Sequence, residues 1–187
     1  QILSAFVKTL EKRPGCRVTT ASLAQQVGVS EAALYRHFPS KGKMIEGLIE
    51  SMETSLFLGV NSILSEETIA RSRCHRILWL LLSFVESNPG FSRLFVGEAL
   101  QGETERLRHL MRGFFDRLES QIHQIIGNDN SGCGESAPAN PATAANLMLA
   151  VIVGRINKFV RSDFKSLPTT GWEEQWSMLE LAIFGQA

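Results

Sequence analysis

With 187 residues, 44% of them hydrophobic and 20% charged, the chain is long enough to bury one sizeable core and too apolar for a disordered or fibrous protein. Its 19 Lys and Arg balance 19 Asp and Glu, and a net charge of zero over the whole chain speaks against a polyanionic partner. The distribution reverses that reading: residues 1–44 carry Lys8, Lys12, Arg13, Arg17, Arg36, Lys41 and Lys43 against only Glu11 and Glu31, a net of +5, while the remainder holds 12 basic against 17 acidic residues.

Leu3, Phe6, Val7 and Leu10 stand three or four apart, so the chain opens inside a helix and a preceding segment is expected to be missing. Residues 18–43, VTTASLAQQVGVSEAALYRHFPSKGK, then read as two short helices around a tight turn. Thr19 and Thr20 are side-chain acceptors suited to cap the first helix, whose Leu23, Ala24 and Val27 share an inward face. Gly28 falls where the chain must turn left-handed to leave that helix. Ser30 caps the second helix and Glu31 places a carboxylate on its positive end. In the second helix Leu34 and Phe38 point inward, which leaves Ala32, Ala33, Tyr35, Arg36 and His37 outward.

That outward set suits duplex DNA. Small Ala32 and Ala33 let the helix approach base edges, Arg36 can grip a guanine or a phosphate, and Tyr35 and His37 can bond phosphate oxygens. Pro39 stops the helix and Ser40 caps the next one, whose first-turn amides form a phosphate site with Lys41 and Lys43. The pattern predicts a helix-turn-helix with its second helix in the major groove.

Everything beyond is helical in period. Met44, Ile45, Leu48, Ile49, Met52, Leu56, Val60 and Ile63 mark a helix over 41–64. Further helices are predicted near 73–87, stopped by Asn88-Pro89-Gly90, and over 91–100 and 103–126. Residues 127–141 are rich in Gly, Pro, Asn and Ser and read as a loop. Two last helices span 142–161 and 172–184, each with a wide apolar stripe. No strand-like alternation occurs, and the expected fold is all-α: a head over 1–44 and a helical body over 45–187.

The run Tyr35, His37, Phe38 and Lys41 resembles the Tyr-x-His-Phe-x-x-Lys mark of TetR-type regulators, and residues 27–41, VGVSEAALYRHFPSK, are similar to the nucleoid-occlusion members of that family. Asn88-Pro89-Gly90 and the stretch FVRSDFK at 159–165 look like those members too. The resemblance implies a three-helix head on a body that dimerises through its last two helices, here by Met148, Ile152, Ile156, Phe159, Trp176 and Leu179. It implies a palindromic double-stranded DNA site, with half-sites roughly 34 Å apart, read by Thr19, Thr20, Ser30, Ala32, Ala33, Tyr35, Arg36, His37, Ser40 and Lys41. It places the protein in the cytoplasm, on the nucleoid.

For the body the resemblance leaves two outcomes open. Nucleoid-occlusion members, when bound to DNA, take the tail of the division protein FtsZ in the groove between the helices at 41–64 and 73–87 and disrupt its polymers. Leu80 and Asn88 match that groove; Ser51, Gly59, Ser83 and Ser87 depart from it, where an aromatic, a basic residue, a glycine and a second basic residue stand. TetR-type bodies also commonly enclose a small apolar ligand, and Trp79, Phe84, Phe95, Met111, Phe114 and Phe115 are candidates to line its pocket in a ligand-responsive repressor.

An enzyme is disfavoured, because His75, His109 and His123 are scattered and no nucleophile elbow or phosphate-cradling glycine loop occurs. Cys16, Cys74 and Cys133 are odd in number and far apart, which predicts neither a disulfide framework nor a metal site and suits a reducing compartment. No leader and no apolar run near 18 residues is read in the chain, so no membrane partner and no cofactor are expected.

Overall fold

The computed structural model describes residues 2–12, 19–128 and 140–185, with helix as the one regular element among them. In chain order the helices are α1 (Ile2–Lys12), α2 (Thr20–Val27), α3 (Glu31–His37), α4 (Lys41–Glu66), α5 (Ala70–Ser87), α6 (Pro89–Phe95), α7 (Glu105–Gly127), α8 (Pro141–Arg161) and α9 (Trp172–Phe184). The stretch predicted as one helix over 91–100 is two pieces: α6 ends at Phe95, Gly97 turns left-handed, and a single 3-10 turn follows at Glu98–Leu100. Most of the loop expected over 127–141 lies outside the described residues, as do Cys16 and Cys133; Cys74 is buried.

One core runs through the whole fold. Phe6 and Leu10 of α1, Leu23 of α2 and Leu34 of α3 join Met44, Ile45 and Leu48 of α4, and the same cluster continues through α5 and α7 to Trp172 and Ile183 of α9. A boundary at 44/45 therefore falls inside the 26-residue helix α4, which serves head and body together. Helix α1 lies on α6, where Gly90 is so close that a Cβ on it would collide with the Val7 carbonyl. Helix α4 packs against α5 and α7, and α8 lies along α7.

Three of the aromatic side chains suggested as a pocket lining pack on one another. Phe95, Phe114 and Phe115 pack edge to face with ring centroids 5.4–5.8 Å apart, and Phe57 adds a fourth ring at 5.9 Å from Phe114. Trp79 sits apart from them, 40% exposed on the outer side of α5.

Two expectations about the last helices are corrected. Met148, Ile152, Ile156, Phe159, Trp176 and Leu179 are all buried inside their own chain, between 0% and 8% exposed, and of the six Leu179 alone borders a hollow on the outer side of the two helices. They form the inward stripe; the outward residues of the same helices are Leu147, Met178 and Leu181, at 44%, 71% and 54% exposure. Helix α8 is also, by length and composition, apolar enough to cross a membrane, contrary to the expectation that no such run exists. Its buried face is committed to the core and its flanks carry Asn146, Arg155, Asn157 and Lys158, so it reads as a core helix.

Candidate nucleic-acid interface

Three short-range devices build the helix-turn-helix. Thr19 Oγ1 accepts the Ser22 amide at 3.2 Å and caps α2 alone; Thr20, expected to share that role, is already the first helical residue. Gly28 adopts φ 74°, and the amides of Gly28 and Val29 close the end of α2 on Gln25 and Ala24. Ser30 Oγ accepts the Ala33 amide at 3.1 Å and caps α3. Buried Leu34 and half-buried Phe38 then fasten α3 to the core, with Phe38 lying over Gly47 of α4, which Leu3 of α1 also approaches.

This orientation leaves Thr19, Ser30, Ala32, Tyr35, Arg36, His37 and Ser40 exposed, with Thr20 and Ala33 half-buried at the seam between α2 and α3. Arg36 and His37 make no hydrogen bond or ion pair among the described residues and present their full donor sets outward. Tyr35 is less free than its position suggested. Its hydroxyl lies 3.2 Å from Thr20 Oγ1, which in turn donates to Glu31 at 3.2 Å, a chain that ties α3 to the start of α2.

The next helix begins on Ser40, whose Oγ accepts the Lys43 amide at 3.2 Å. The cations beside it, expected to face phosphate, are already paired: Lys41 Nζ with Glu103 at 2.8 Å and Lys43 Nζ with Glu46 at 2.7 Å. Glu46 also receives Arg106 from α7. The bond from Lys43, then the field of Arg106, hold its carboxyl below the ordinary 4.5 despite burial. Glu103 was not found in the sequence, because it meets Lys41 only through tertiary packing, whereas Glu46 stands three residues after Lys43 on the same helix, a local spacing that the sequence did carry. The side chains of Lys12, Arg13 and Arg17, which supply much of the head's charge, lie outside the described residues.

Between α4 and α5 a groove of about 660 Å³ is lined by Gly59, Ile63, His75, Arg76, Trp79, Leu80 and Ser83. Leu80 is thus where the groove was expected. Asn88 is not among its lining residues, and its side-chain amide donates to the Phe84 carbonyl at 2.9 Å to close α5. Leu80 leans over Gly59, such that a Cβ there would meet its Cδ2 at 2.7 Å. A second hollow, of about 770 Å³, lies on the outer side of α8 and α9 among Val151, Gly154, Lys158, Leu167 and Met178. The spacing of Leu147, Val151 and Gly154 at i, i+4 and i+7 carries a signal for that outer face, but the stronger inward stripe masks it.

The family model for bacterial regulatory proteins of the tetR family matches residues 2–48, and the SlmA-like model described as a tetracyclin repressor-like C-terminal domain matches residues 66–183. The chain belongs to the TetR family. Among curated TetR-type relatives it is 51% identical over 179 residues to the nucleoid occlusion factor SlmA of Marinomonas sp., covering 96% of this chain and 91% of that protein. The SlmA of Alteromonas mediterranea is 49% identical over 177 residues, covering 95% and 91%. Within the family the chain thus groups with the SlmA proteins. In three dimensions it superimposes on the transcriptional regulator FadR from Bacillus subtilis, solved with stearoyl-CoA, at a TM-score of 0.80 over 100% of this chain and 98% of that one; at 15% identity this likeness concerns the TetR fold alone.

Proposed function

We propose that this chain is a nucleoid occlusion factor: a homodimer that binds a palindromic DNA site through α3 and, once bound, antagonises assembly of FtsZ. The observation that carries the reading is the capped, outward-facing α3 with Arg36 and His37 unengaged, in a chain about half identical to SlmA proteins over nearly its whole length. Two-fold dimers of this kind set two recognition helices one DNA turn apart, roughly 34 Å. The dimer face is assigned to the outer sides of α8 and α9, where Leu147, Met178 and Leu181 are exposed and Val151 and Met178 line the second hollow. Work on the nucleoid implies a cytoplasmic protein, and a regulator rather than an enzyme.

The tail of FtsZ is assigned to the α4–α5 groove, with Trp79, Leu80 and Ile63 as its apolar floor and Arg76 as its cation. Arg76 is partly neutralised by Glu66 at 2.7 Å, and position 59 has no side chain at all. Capture is therefore expected to be weaker than in a relative with basic residues at 59 and 87. The ligand-responsive alternative has less support, since Phe95, Phe114 and Phe115, three of the side chains proposed to line its pocket, pack on one another.

One experiment separates these outcomes. DNA bound by the full chain is selected from random duplexes, and the complex is titrated with an FtsZ tail peptide. Peptide capture that requires the selected duplex supports occlusion. Tight DNA binding with no peptide capture, and sites confined to a few promoters, would leave ordinary repression instead.

A further inference from the structure

One cation that the head offers to DNA, Lys41, is already held by an acid from the body. Lys41 Nζ lies 2.8 Å from Glu103 Oε1, and Glu103 comes from the turn that precedes α7, about sixty residues along the chain. Its second oxygen stands over the first turn of α4: Oε2 is 3.9 Å from the point a Cβ on Gly42 would occupy, and Ser40 Oγ is 3.7 Å from the same point. The Glu103 carboxylate thus covers both the lysine and the flank of the capped helix start that a phosphate would approach. Its side chain is 15% exposed and that of Lys41 28%, so solvent screens the pair less than it would one on an open surface.

The geometry points to Glu103 as an internal competitor of DNA phosphate for Lys41, a residue that sets how tightly the chain holds any duplex. This rests on the DNA-binding reading above. For Lys41 to bond a phosphate, its bond to Glu103 must break or be shared, and the incoming anion meets the field of a carboxylate beside it. The freed carboxylate then attracts a cation from solution, which offsets part of the counterion release that drives binding. Glu103 accordingly both lowers affinity and flattens its dependence on salt. Neutralising it leaves Lys41 uncommitted before DNA arrives.

The test compares wild type with Glu103→Gln, Lys41→Gln and the double variant, each as the full chain. Fluorescence anisotropy on a selected duplex and on a random one is followed across a salt series. Glu103→Gln is expected to tighten both complexes, by roughly two- to fivefold at low salt given what a partly exposed pair is worth. Its salt slope should steepen by up to about one unit. On the Lys41→Gln background the same change should gain much less, because the competed cation is gone. Unchanged or weaker binding by Glu103→Gln, at an unchanged melting temperature, would overturn the inference and make Glu103 a support that positions Lys41. Should the glutamine variant melt early, Glu103→Ala reads the same comparison. If the wild type itself holds no duplex, the DNA-binding reading has failed; if it binds and neutralising Glu103 changes nothing, only the competition has.

Discussion

Arg36 and Lys41 sit five residues apart and are expected to do different work. Arg36 is exposed in the last turn of α3 with no partner among the described residues, which suits a base edge. Lys41 lies at the start of α4, paired with Glu103, where a phosphate rather than a base edge is the expected contact. Arg36→Ala is therefore expected to flatten discrimination at one base position by about 1–3 kcal/mol. Lys41→Ala should weaken all duplexes alike and make the salt slope shallower by at most about one unit. Competition titrations with site variants and a salt series measure both, and parallel losses in the two variants would sink the division. At this scale the sequence was legible where partners are local: Thr19, Ser30 and Ser40 bond amides three residues on, and each was readable as a cap. It was not legible where partners are distant. Nothing in the order of residues announces that Glu103 reaches Lys41, or that the Tyr35 hydroxyl meets Thr20.

Helix α6 shows what an element does beyond its own residues. Pro89 at its first turn sets its start. Gly90 then lets α1 come within backbone contact at Val7, so the first helix of the head rests on the body. Gly90→Ala would force these backbones apart and is expected to cost about 1–3 kcal/mol, as overpacking does. For a chain of this size that is a fall of several degrees in melting temperature, at roughly 2–4 °C per kcal/mol, seen by thermal unfolding. An unchanged melting curve would mean that α1 docks elsewhere. The stop at Asn88-Pro89-Gly90 was plain in the sequence, because proline and glycine act on the local backbone. The reason for Gly90 was not, since it is the approach of a helix some eighty residues earlier. The break between α6 and the 3-10 turn was also missed, because the apolar period runs on across Gly97.

At the scale of the whole molecule, the question is which faces of α8 and α9 look outward. Met178→Glu, on the exposed face, is expected to split the dimer while leaving helical content intact. Met148→Ala, in the core, should cost about 2–5 kcal/mol through the cavity it leaves, without altering assembly. Analytical ultracentrifugation and thermal unfolding distinguish the two, and a Met178→Glu variant that stays dimeric would place the interface on another face. By itself the sequence determined the all-helical architecture, the helix-turn-helix and the basic head, because period, capping and turn chemistry act within a few residues of each other. The tertiary structure alone decided which apolar stripe is core and which is surface. It alone also decided that Lys41 of the head is paired with an acid from the body. Both outcomes depend on how helices far apart in the chain pack together, and the period of an isolated helix carries no information about its neighbour.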